Sequence, residues 1–469
     1  MEYKDKIIVV GAGVAGANAI TKLIDNGYPG ELITVIDRGR DPYNRKPEEI
    51  MKGWLGAGGW SDGKLTYHTS IGGQLSKYCG RDKAYDLMNQ VIENFKRFHP
   101  QPENIYLSDP KEQPEWVKPY FSLRLYPTWH IGTDYLSEIG KNWYEYLVEK
   151  GVNFLWRTKV NSINFQEQKV FYEDRDNRII FHNFQPWLEY DKLIFAAGKS
   201  GIEFAQELIN QYNLPTEPKS VQIGVRFEAP QKHFQKIIDI SYDFKLYKKI
   251  DNSGVSLRSF CTNNNAAYVA VEKTYGDVSY NGHAKKGEEF YNSMTNFGIL
   301  MEIQDIENPF EWSRELVQKC QIKEIVNINI QSFDLTPGGI ASRGTGEVIN
   351  KGLYYSPSQT RKPSQTSEGD DILVSKIYHL QGVRDAFKGY FEYIENYIED
   401  LKKVFPTLGD DWGIYIPEVK YLSPEPLVDY KNLSLTEYPN VYFVGDVLSA
   451  RGITVAGSQG IYAAESILK

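Results

Sequence analysis

The sequence predicts an α/β protein in which a three-layer domain with a parallel sheet is interrupted by a second, mixed α/β domain. Two observations predict the first domain: short β-branched strands run into glycine turns, and helical patterns follow those turns directly. A third observation predicts the insertion. Units of this kind stand near both ends of the 469 residues, and the segment between them is long enough to form a domain of its own.

The first predicted unit begins with the strand IIVV at 7–10, which is short, β-branched and continuously apolar, as buried parallel strands are. Gly11, Gly13 and Gly16 follow in G-x-G-x-x-G spacing, and a helical pattern continues to Asn26. An ordinary tight turn between a strand and a helix is the alternative interpretation. The residues that follow favour a nucleotide phosphate.

A second strand pattern, ELITVIDRG at 31–39, ends at Asp37, roughly 20 residues after the glycines, as a dinucleotide fingerprint requires. Gly11 would permit the tight turn, Gly13 would admit a pyrophosphate to the backbone, and Gly16 would let helix and strand pack closely. The helix N-terminus offers free N–H groups and a partial positive charge to the phosphates. Asp37 is expected to accept hydrogen bonds from a ribose.

The segment YPNVYFVGDVLSARGITVAGSQGIYAAESIL at 438–468 contains a strand pattern, the pair Gly445-Asp446, a glycine-rich turn and a last helix. It resembles the second FAD signature of two-dinucleotide-binding flavoproteins, the glutathione-reductase-like superfamily. The resemblance implies that FAD, not NAD, is the dinucleotide, and that Asp446 binds the ribityl chain. It also implies that the last helix points its N-terminus at the flavin, where its dipole stabilises the anionic reduced form.

Shorter blocks extend the resemblance. YDKLIFAAGKSG at 190–201 is similar to the strand end at which an inserted domain leaves the FAD domain in that superfamily. GWLGAGGWSDGKLT at 53–66 resembles a segment of the group called NAD(FAD)-utilising dehydrogenases, and HIGTD at 130–134, IGVRFEAP at 223–230 and SRGTGEVIN at 342–350 fit the same group. The stretch 259–272 departs from the group's pattern, which puts the substrate in doubt rather than the fold.

These resemblances imply a Rossmann-type FAD-binding domain in three parts, 1–75, 150–215 and 431–469, with a helical and loop excursion at 76–149 and a substrate domain at 216–430. Within these parts we expect an amphipathic helix at 84–98, meander strands at 151–174, helical patterns from about 285 to 320 and a helix at 383–405. The predicted cofactor-binding residues are Gly11, Gly13, Ala15, Gly16, Asp37, Arg38, Ser61, Asp62, Gly63, Val160, Ala197, Gly198, Gly445, Asp446, Thr454, Val455 and Gly457.

A lysine, a histidine and three arginines are candidates for roles in catalysis or substrate binding. Lys64 could stabilise negative charge near the flavin or hold an acidic substrate, and His130 is the best candidate base because its ordinary pKa suits proton transfer. Arg451, together with Arg124 and Arg226, could clamp a substrate carboxylate through bidentate hydrogen bonds. For each, a solvated or structural side chain is the alternative.

The predicted function is an FAD-dependent oxidoreductase that transfers a hydride between flavin N5 and a small organic substrate. A flavin monooxygenase, a redox-neutral flavin isomerase or hydratase, and a non-enzymatic flavin-binding or tRNA-associated protein remain alternatives. The chain carries no second G-x-G-x-x-G unit. Electrons would therefore arrive by transient docking of NAD(P)H, from a partner protein, or from the substrate itself.

The composition of the chain narrows further the class of protein to which it could belong. The net charge of −8 gives no basic footprint for nucleic acid. The three cysteines are widely spaced and form no metal or disulfide pattern, which favours a reducing compartment. The N-terminal apolar run is short and holds glycines, and no stretch reaches the length of a membrane span. We therefore expect a cytoplasmic enzyme whose partner is a small-molecule substrate, with no metal; the sequence does not indicate an oligomeric state.

Overall fold

The computed structural model describes residues 3–46, 49–110, 114–174, 186–217, 219–274, 277–285, 291–320, 352–355, 372–375, 383–420, 422 and 424–469. The chain divides into two units. The first comprises Met1–Pro110, Tyr126–Lys219 and Leu422–Lys469, and the second Lys111–Leu125 and Ser220–Tyr421. The excursion expected at 76–149 is thus shared between the two units.

The strands are, in chain order, β1 (Ile7–Val10), β2 (Ile33–Ile36), β3 (Lys64–Thr66), β4 (Tyr106–Ser108), β5 (Ser122–Arg124), β6 (Thr128–His130), β7 (Asn153–Leu155), β8 (Thr158–Asn164), β9 (Lys169–Asp174), β10 (Trp187–Glu189), β11 (Lys192–Phe195), β12 (Thr216–Glu217), β13 (Val221–Pro230), β14 (Lys245–Ile250), β15 (Val255–Asn263), β16 (Ala266–Thr274), β17 (Asp277–Lys285), β18 (Met294–Ile303), β19 (Gly352–Tyr355), β20 (Ile372–Ser375), β21 (Gly413–Lys420), β22 (Glu425–Pro426) and β23 (Val441–Phe443). The helices are α1 (Val14–Asp25), α2 (Leu75–Cys79), α3 (Arg81–Phe98), α4 (Leu136–Glu149), α5 (Ile202–Gln211), α6 (Gln235–Ile238), α7 (Pro309–Cys320), α8 (Phe391–Val404) and α9 (Ile453–Ile467).

A parallel sheet in the order β23-β11-β1-β2-β7 forms the centre of the first unit. Strand β1 lies between β2 and β11, with Ile7 opposite both Ile33 and Lys192. All four residues of β1 are buried, which explains why its sequence is apolar without alternation. Because parallel strands end at one edge of the sheet, the turns after β1, β2, β11 and β23 all open at that edge.

Helices α1, α3, α4 and α9 of the first unit pack on one another. Helix α1 lies against α9 so closely that a Cβ on Gly460 would stand 2.0 Å from the carbonyl oxygen of Ala15. The helix predicted at 84–98 is α3, whose buried stripe includes Leu87, Val91 and Phe95. Small residues therefore bring the first turn of α1 against the middle of α9.

Smaller sheets complete the first unit: β8, β9 and β10 form an antiparallel meander, β3, β6 and β4 form a second sheet, and β12 pairs with β22. The meander expected at 151–174 is present in β8 and β9, but β7 joins the parallel sheet beside β2 instead. The segment from Asn153 to Leu155 is too short for its alternation of polar and apolar residues to indicate which sheet it joins.

The second unit is built on a large, mainly antiparallel sheet in the order β20-β19-β21-β13-β18-β15-β14-β5, to which the hairpin of β16 and β17 is joined through β18. Strand β13 contains the block at 223–230, and it pairs with β18 along its whole length. Helices α6, α7 and α8 belong to this unit. The presence of both strands and helices agrees with the mixed α/β character expected of the second domain.

The helical pattern expected from about 285 to 320 is wrong for residues 294–303, which form β18. This strand lies between β13 and β15, and its apolar residues are buried on both faces. A strand buried on both sides shows no two-residue alternation, so periodicity alone cannot separate it from a buried helix. The helix expected at 383–405 is interrupted at Lys388 and Gly389, whose φ angles are 51° and 87°.

The predicted fold class is confirmed: the chain is an α/β protein with a Rossmann-type parallel-sheet domain and a second, mixed α/β unit. None of the described helices has the length and apolar character needed to cross a bilayer. The block at 342–350 that supported the resemblance lies outside the described residues.

Candidate functional site

The turn after β1 uses its three glycines in three ways. Gly11 has φ +105°, and a Cβ there would lie 2.3 Å from the carbonyl oxygen of Ala196. A Cβ on Gly16 would lie 2.3 Å from the carbonyl oxygen of Gly11, so helix and turn meet backbone to backbone. At Gly13, the residue before α1, a Cβ would meet no atom within 4 Å. The turn is therefore tight on the inside and open at Gly13.

Asp37, at the end of β2, accepts three backbone hydrogen bonds. Its Oδ2 accepts from the N–H of Ala12 at 2.9 Å, and its Oδ1 accepts from Gly39 at 2.7 Å and from Gly53 at 2.8 Å. The carboxylate thus joins the glycine turn, the end of β2 and the segment that starts at Gly53. The neighbouring Arg38 is exposed, and its guanidinium donates to the carbonyl oxygen of Ser200 at 3.1 Å.

The segment 53–60 lies along the glycine turn. The N–H of Leu55 donates to the carbonyl oxygen of Ala12 at 2.8 Å. A Cβ on Gly58 would lie 2.3 Å from Cγ2 of Val14 and 3.5 Å from Cγ1 of Ile453. Since Val14 begins α1 and Ile453 begins α9, this one segment contacts the first residue of both helices.

Arg45 holds the segment 53–60 in place, and sequence reasoning missed it. Its guanidinium donates to four carbonyl oxygens, those of Glu49, Ile50, Trp54 and Gly56, at 3.1, 3.0, 2.6 and 2.5 Å. Burial lowers the pKa of this guanidinium to about 10. No sequence signal could have found this role, because its acceptors are backbone carbonyls that every residue carries.

The turn after β23 is fixed against α9 and α1. Gly445 has φ +83°, and its N–H donates to Oε1 of Gln459 at 2.8 Å. A Cβ on Gly445 would lie 3.3 Å from the Cβ of Ala15, so the predicted residue Ala15 packs between the two turns. A Cβ on Gly457 would lie 2.8 Å from Nδ2 of Asn18. Ala15 and Gly457 therefore act in the close packing of α1 on α9.

The start of α9 combines an ion pair with an unsatisfied hydroxyl. Nη1 of Arg451 lies 2.5 Å from Oδ1 of Asp446. Thr454 is 2% exposed, and its Oγ1 has no hydrogen-bond partner among the described residues. Val455 is buried beside Gly72 and Gly73, where Cβ atoms would lie 3.1 and 3.4 Å from its methyl groups. Neither α1 nor α9 has an acidic residue in its first turn.

The SDGK stretch leads from the segment 53–60 into β3. Oγ of Ser61 donates to the carbonyl oxygen of Gly58 at 3.0 Å and accepts from the N–H of Gly63 at 3.2 Å. Nζ of Lys64 lies 2.7 Å from Oδ2 of Asp62, with side-chain exposures of 6% and 13%. The stretch is held by its own hydrogen bonds, and β3 packs against α9.

The structure brings two predicted catalytic residues together. Lys64 on β3 is the cross-strand partner of His130 on β6, and His130 is in turn opposite Tyr106 on β4. The His130 and Tyr106 rings stack with centroids 4.6 Å apart. Cross-strand partners project from the same face of a sheet, so Lys64, His130 and Tyr106 form one row. His130 is 3% exposed.

Three other predicted residues, Ala197, Gly198 and Val160, lie after β11 and on β8. Gly198, after β11, has φ +62°, and a Cβ there would meet no atom within 4 Å. Ala197 precedes it and is half-buried. Val160 is on β8, opposite Tyr172, two residues after Thr158, whose N–H donates to the carbonyl oxygen of Asp37 at 3.0 Å.

The expected clamp at Arg226 is wrong, because this arginine is 0% exposed inside the second unit. Its guanidinium donates to Oδ1 of Asn296 at 2.6 and 2.9 Å and to the carbonyl oxygen of Cys261 at 2.6 Å, and it pairs with Glu418 at 3.4 Å. Arg124 lies over the Tyr247 ring at 4.2 Å. In the part of the chain that the structure describes, no three His, Cys, Asp or Glu side chains are grouped as metal ligands would be.

No protein-family model matches the chain. An uncharacterized protein of Clostridium beijerinckii is 23% identical over 319 residues, which cover 65% of this chain and 53% of that protein. The chain therefore spans about half the length of the curated relative it matches.

Several solved structures resemble the chain. A flavoprotein/dehydrogenase from Cytophaga hutchinsonii has 11% identity and a TM-score of 0.29, over 65% of this chain and 59% of that one. Glycerol-3-phosphate dehydrogenase from Bacillus halodurans, complexed with FAD, has 13% identity and a TM-score of 0.30, over 65% and 49%. A variant of halogenase PltM in complex with FAD has 10% identity and a TM-score of 0.39, over 99% and 68%. Sequence identities and TM-scores this low do not indicate the activity of this chain.

Proposed function

We propose that the chain is an FAD-dependent oxidoreductase. The observation that carries the proposal is the convergence of two helix N-termini, α1 and α9, on the segment 53–60. The open space at Gly13 is where a pyrophosphate could approach the backbone, and helix N-termini without acidic residues favour anions. The buried Oγ1 of Thr454 has no hydrogen-bond partner in the part of the chain that the structure describes, and a polar ligand would satisfy it.

The residues present fit FAD along its length. Gly11, Gly13 and Gly16 would receive the pyrophosphate, and Asp37 would keep lone pairs for the ribose beyond its three backbone donors. By the resemblance, Asp446 would hold the ribityl chain. The remaining predicted contacts stay part of this proposal: Ala15, Arg38, Ser61, Asp62, Gly63, Val160, Ala197, Gly198, Gly445, Thr454, Val455 and Gly457.

When bound, FAD supplies a two-electron acceptor for a hydride from a small organic substrate, or the reverse. His130 would take up the substrate proton, and its position opposite Lys64 would place a cation beside that proton transfer. The Lys64–Asp62 contact orients the ammonium group in this row. NAD(P)H is the proposed donor or acceptor that docks transiently, and a substrate-binding role for residues 216–430 stays a prediction.

The first test is an anaerobic absorption spectrum of the purified protein, before and after addition of FAD and then of NADPH. We expect bound-flavin bands that bleach with NADPH. Bands that persist would keep FAD binding but contradict a nicotinamide donor. The absence of bound flavin, even with FAD supplied, would contradict the proposal altogether. NADPH oxidation that requires both oxygen and a substrate would instead favour a monooxygenase.

A variant tests the assigned base. His130→Asn should retain FAD but lower the rate of flavin reduction by substrate roughly 100-fold, the usual contribution of a general base. His68→Asn is the matched control, because His68 lies two residues after β3 and its Nδ1 contacts the N–H and the hydroxyl of Ser70, at 3.2 and 2.8 Å. Equal rates for both variants would remove His130 from the mechanism.

A further inference from the structure

The ion pair between Asp446 and Arg451 closes the loop in front of α9. Nη1 of Arg451 lies 2.5 Å from Oδ1 of Asp446, and the side chains are 18% and 29% exposed, respectively. A half-buried pair of this kind is screened less by solvent than a surface pair. The sequence predicts separate roles for the two residues, the aspartate on the ribityl chain and the arginine on a substrate.

The main chain holds both partners. The N–H of Arg451 donates to the carbonyl oxygen of Gly72 at 2.6 Å, and a Cβ on Gly72 would lie only 2.2 Å from the carbonyl oxygen of Arg451. On the other side, the N–H groups of Ser449 and Ala450 donate to the carbonyl oxygens of Asp446 and Gly445, each at 3.0 Å. Backbone contacts therefore fix the main chain on both sides of the pair, from which the two side chains meet.

By the resemblance, the start of α9 faces the flavin, so the pair would lie near the ring whose charge changes on reduction. Arg451 immediately precedes Gly452, the residue before α9, and the first turn of α9 carries no acidic residue and holds the unpartnered Oγ1 of Thr454. Reduction of FAD to its anionic form adds two electrons and one proton, so one negative charge appears on the ring. A carboxylate nearby opposes that charge, and a cation paired with the carboxylate removes the opposition.

We propose that Arg451 tunes the reduction potential of the bound flavin by neutralising Asp446. The inference rests on the proposed FAD binding and deepens it, because it assigns Arg451 to the flavin in place of a substrate carboxylate. Asp446 can then contact the ribityl chain without opposing reduction. Arg451 acts through Asp446 and is a positioning and charge-balancing residue, not a catalytic one.

The test is the midpoint potential of the FAD-loaded protein, measured by anaerobic titration with dithionite in the presence of excess FAD. Arg451→Met should lower the equilibrium constant for reduction at least tenfold, which is about 30 mV for a two-electron couple. Arg451→Lys should stay near the wild-type potential. The double variant R451M/D446N should return most of the way to it, because both charges are then gone.

Arg97→Met is the matched control, since Arg97 forms a comparable pair with Asp25, at 2.9 Å, elsewhere in the first unit. It should leave the potential unchanged. An unchanged potential in R451M, or a double variant no closer to wild type than R451M, would overturn the inference. If R451M does not fold, D446N decides: a raised potential supports the inference and an unchanged one overturns it. Failure of the wild type to bind FAD overturns the proposed function instead, and the absorption spectrum shows this before any potential is measured.

Discussion

At the scale of single residues, Asp37 makes backbone contacts that the sequence does not reveal, in addition to the ribose contact proposed for it. A carboxylate at the end of the second strand predicts a ribose contact. In the structure its two oxygens already accept N–H groups from Ala12, Gly39 and Gly53. Asp37 therefore joins three segments of the candidate site, and a substitution there changes all three at once.

Asp37→Asn should lower the free energy of unfolding by about 1–3 kcal/mol, because the amide nitrogen would face a backbone donor that it cannot accept. Chemical denaturation measures this change. Asp191→Asn is the control, since the exposed Asp191 accepts one such bond in the first unit, from Lys6 at 2.7 Å. A loss at Asp37 no larger than the loss at Asp191 would contradict the joining role.

Gly13→Ala separates binding from folding. A methyl group at Gly13 meets no atom within 4 Å, so the free energy of unfolding should stay within about 0.5 kcal/mol of wild type. The same methyl would occupy the space proposed for the pyrophosphate, and FAD affinity should fall at least about tenfold, or 1.4 kcal/mol.

Fluorescence titration with FAD measures that loss. Gly409→Ala is the matched control, because Gly409 also has no atom within 4 Å of a Cβ but lies in the second unit. Unchanged FAD affinity in Gly13→Ala would place the pyrophosphate elsewhere.

At the scale of elements, the sequence predicted the positions of strands and helices well where the backbone restricts which residue types can occur. Strands β1, β2, β11 and β23 are found where their glycine-terminated apolar runs predicted them, as is α3. The prediction failed for β18, where burial on both faces removes the period that distinguishes strands from helices. It also missed the interruption at Lys388 and Gly389 in an otherwise regular apolar stripe.

The sequence predicts which residue types occur at the candidate site. It does not predict which of those residues contact one another. Glycines and terminal acids are restricted by the backbone, so their spacing is visible in the sequence. The cross-strand contact of Lys64 with His130 depends on the register of β3 against β6, which residues 66 positions apart do not reveal. The four carbonyl contacts of Arg45 and the pairing of Arg451 with Asp446 likewise depend on tertiary folding.

The contact between α2 and β12 should show a characteristic pH dependence. The hydrogen bond from Lys77, at 2.7 and 2.6 Å, lowers the pKa of Glu217 below its ordinary 4.5. A lowered carboxyl pKa in the folded state adds stability above the unfolded value, and this stability is lost as the pH falls through the folded value. Lys77→Met should therefore lower the free energy of unfolding at pH 7 by up to about 1 kcal/mol.

That difference between Lys77→Met and wild type should shrink as the pH is taken below the ordinary pKa of Glu217. Urea denaturation at several pH values measures it. Lys77→Arg, which keeps the charge, serves as the control and should follow the wild type. A difference that is constant across this range would show that the packing of the lysine stem, not its charge, causes the effect.

At the scale of the whole molecule, ligand binding should increase the stability of the folded chain. If FAD binds only the folded chain, a free concentration of about 100 times Kd stabilises it by about 2.7 kcal/mol. The thermal midpoint should therefore rise with FAD concentration. NAD is the control ligand, and Gly13→Ala is the control protein, in which the rise should be much smaller. A midpoint that does not respond to FAD would contradict the proposed function independently of any reaction.

The buried arginine of the second unit restricts which substitutions this part of the chain can accept in evolution. Arg226 and Glu418 are both 0% exposed, and the room for them comes from glycines: Cβ atoms on Gly282 and Gly298 would lie 1.6 Å from the Arg226 guanidinium and 2.7 Å from the Glu418 carboxylate. Loss of the glutamate leaves a buried guanidinium without its carboxylate, and loss of the arginine leaves the buried carboxylate to the Lys420 ammonium at 3.3 Å. Enlarging either glycine displaces a charge. Substitutions at these four positions should therefore be inherited in combination, and a relative that has lost the arginine should also have changed the glutamate and been released from the requirement for both glycines.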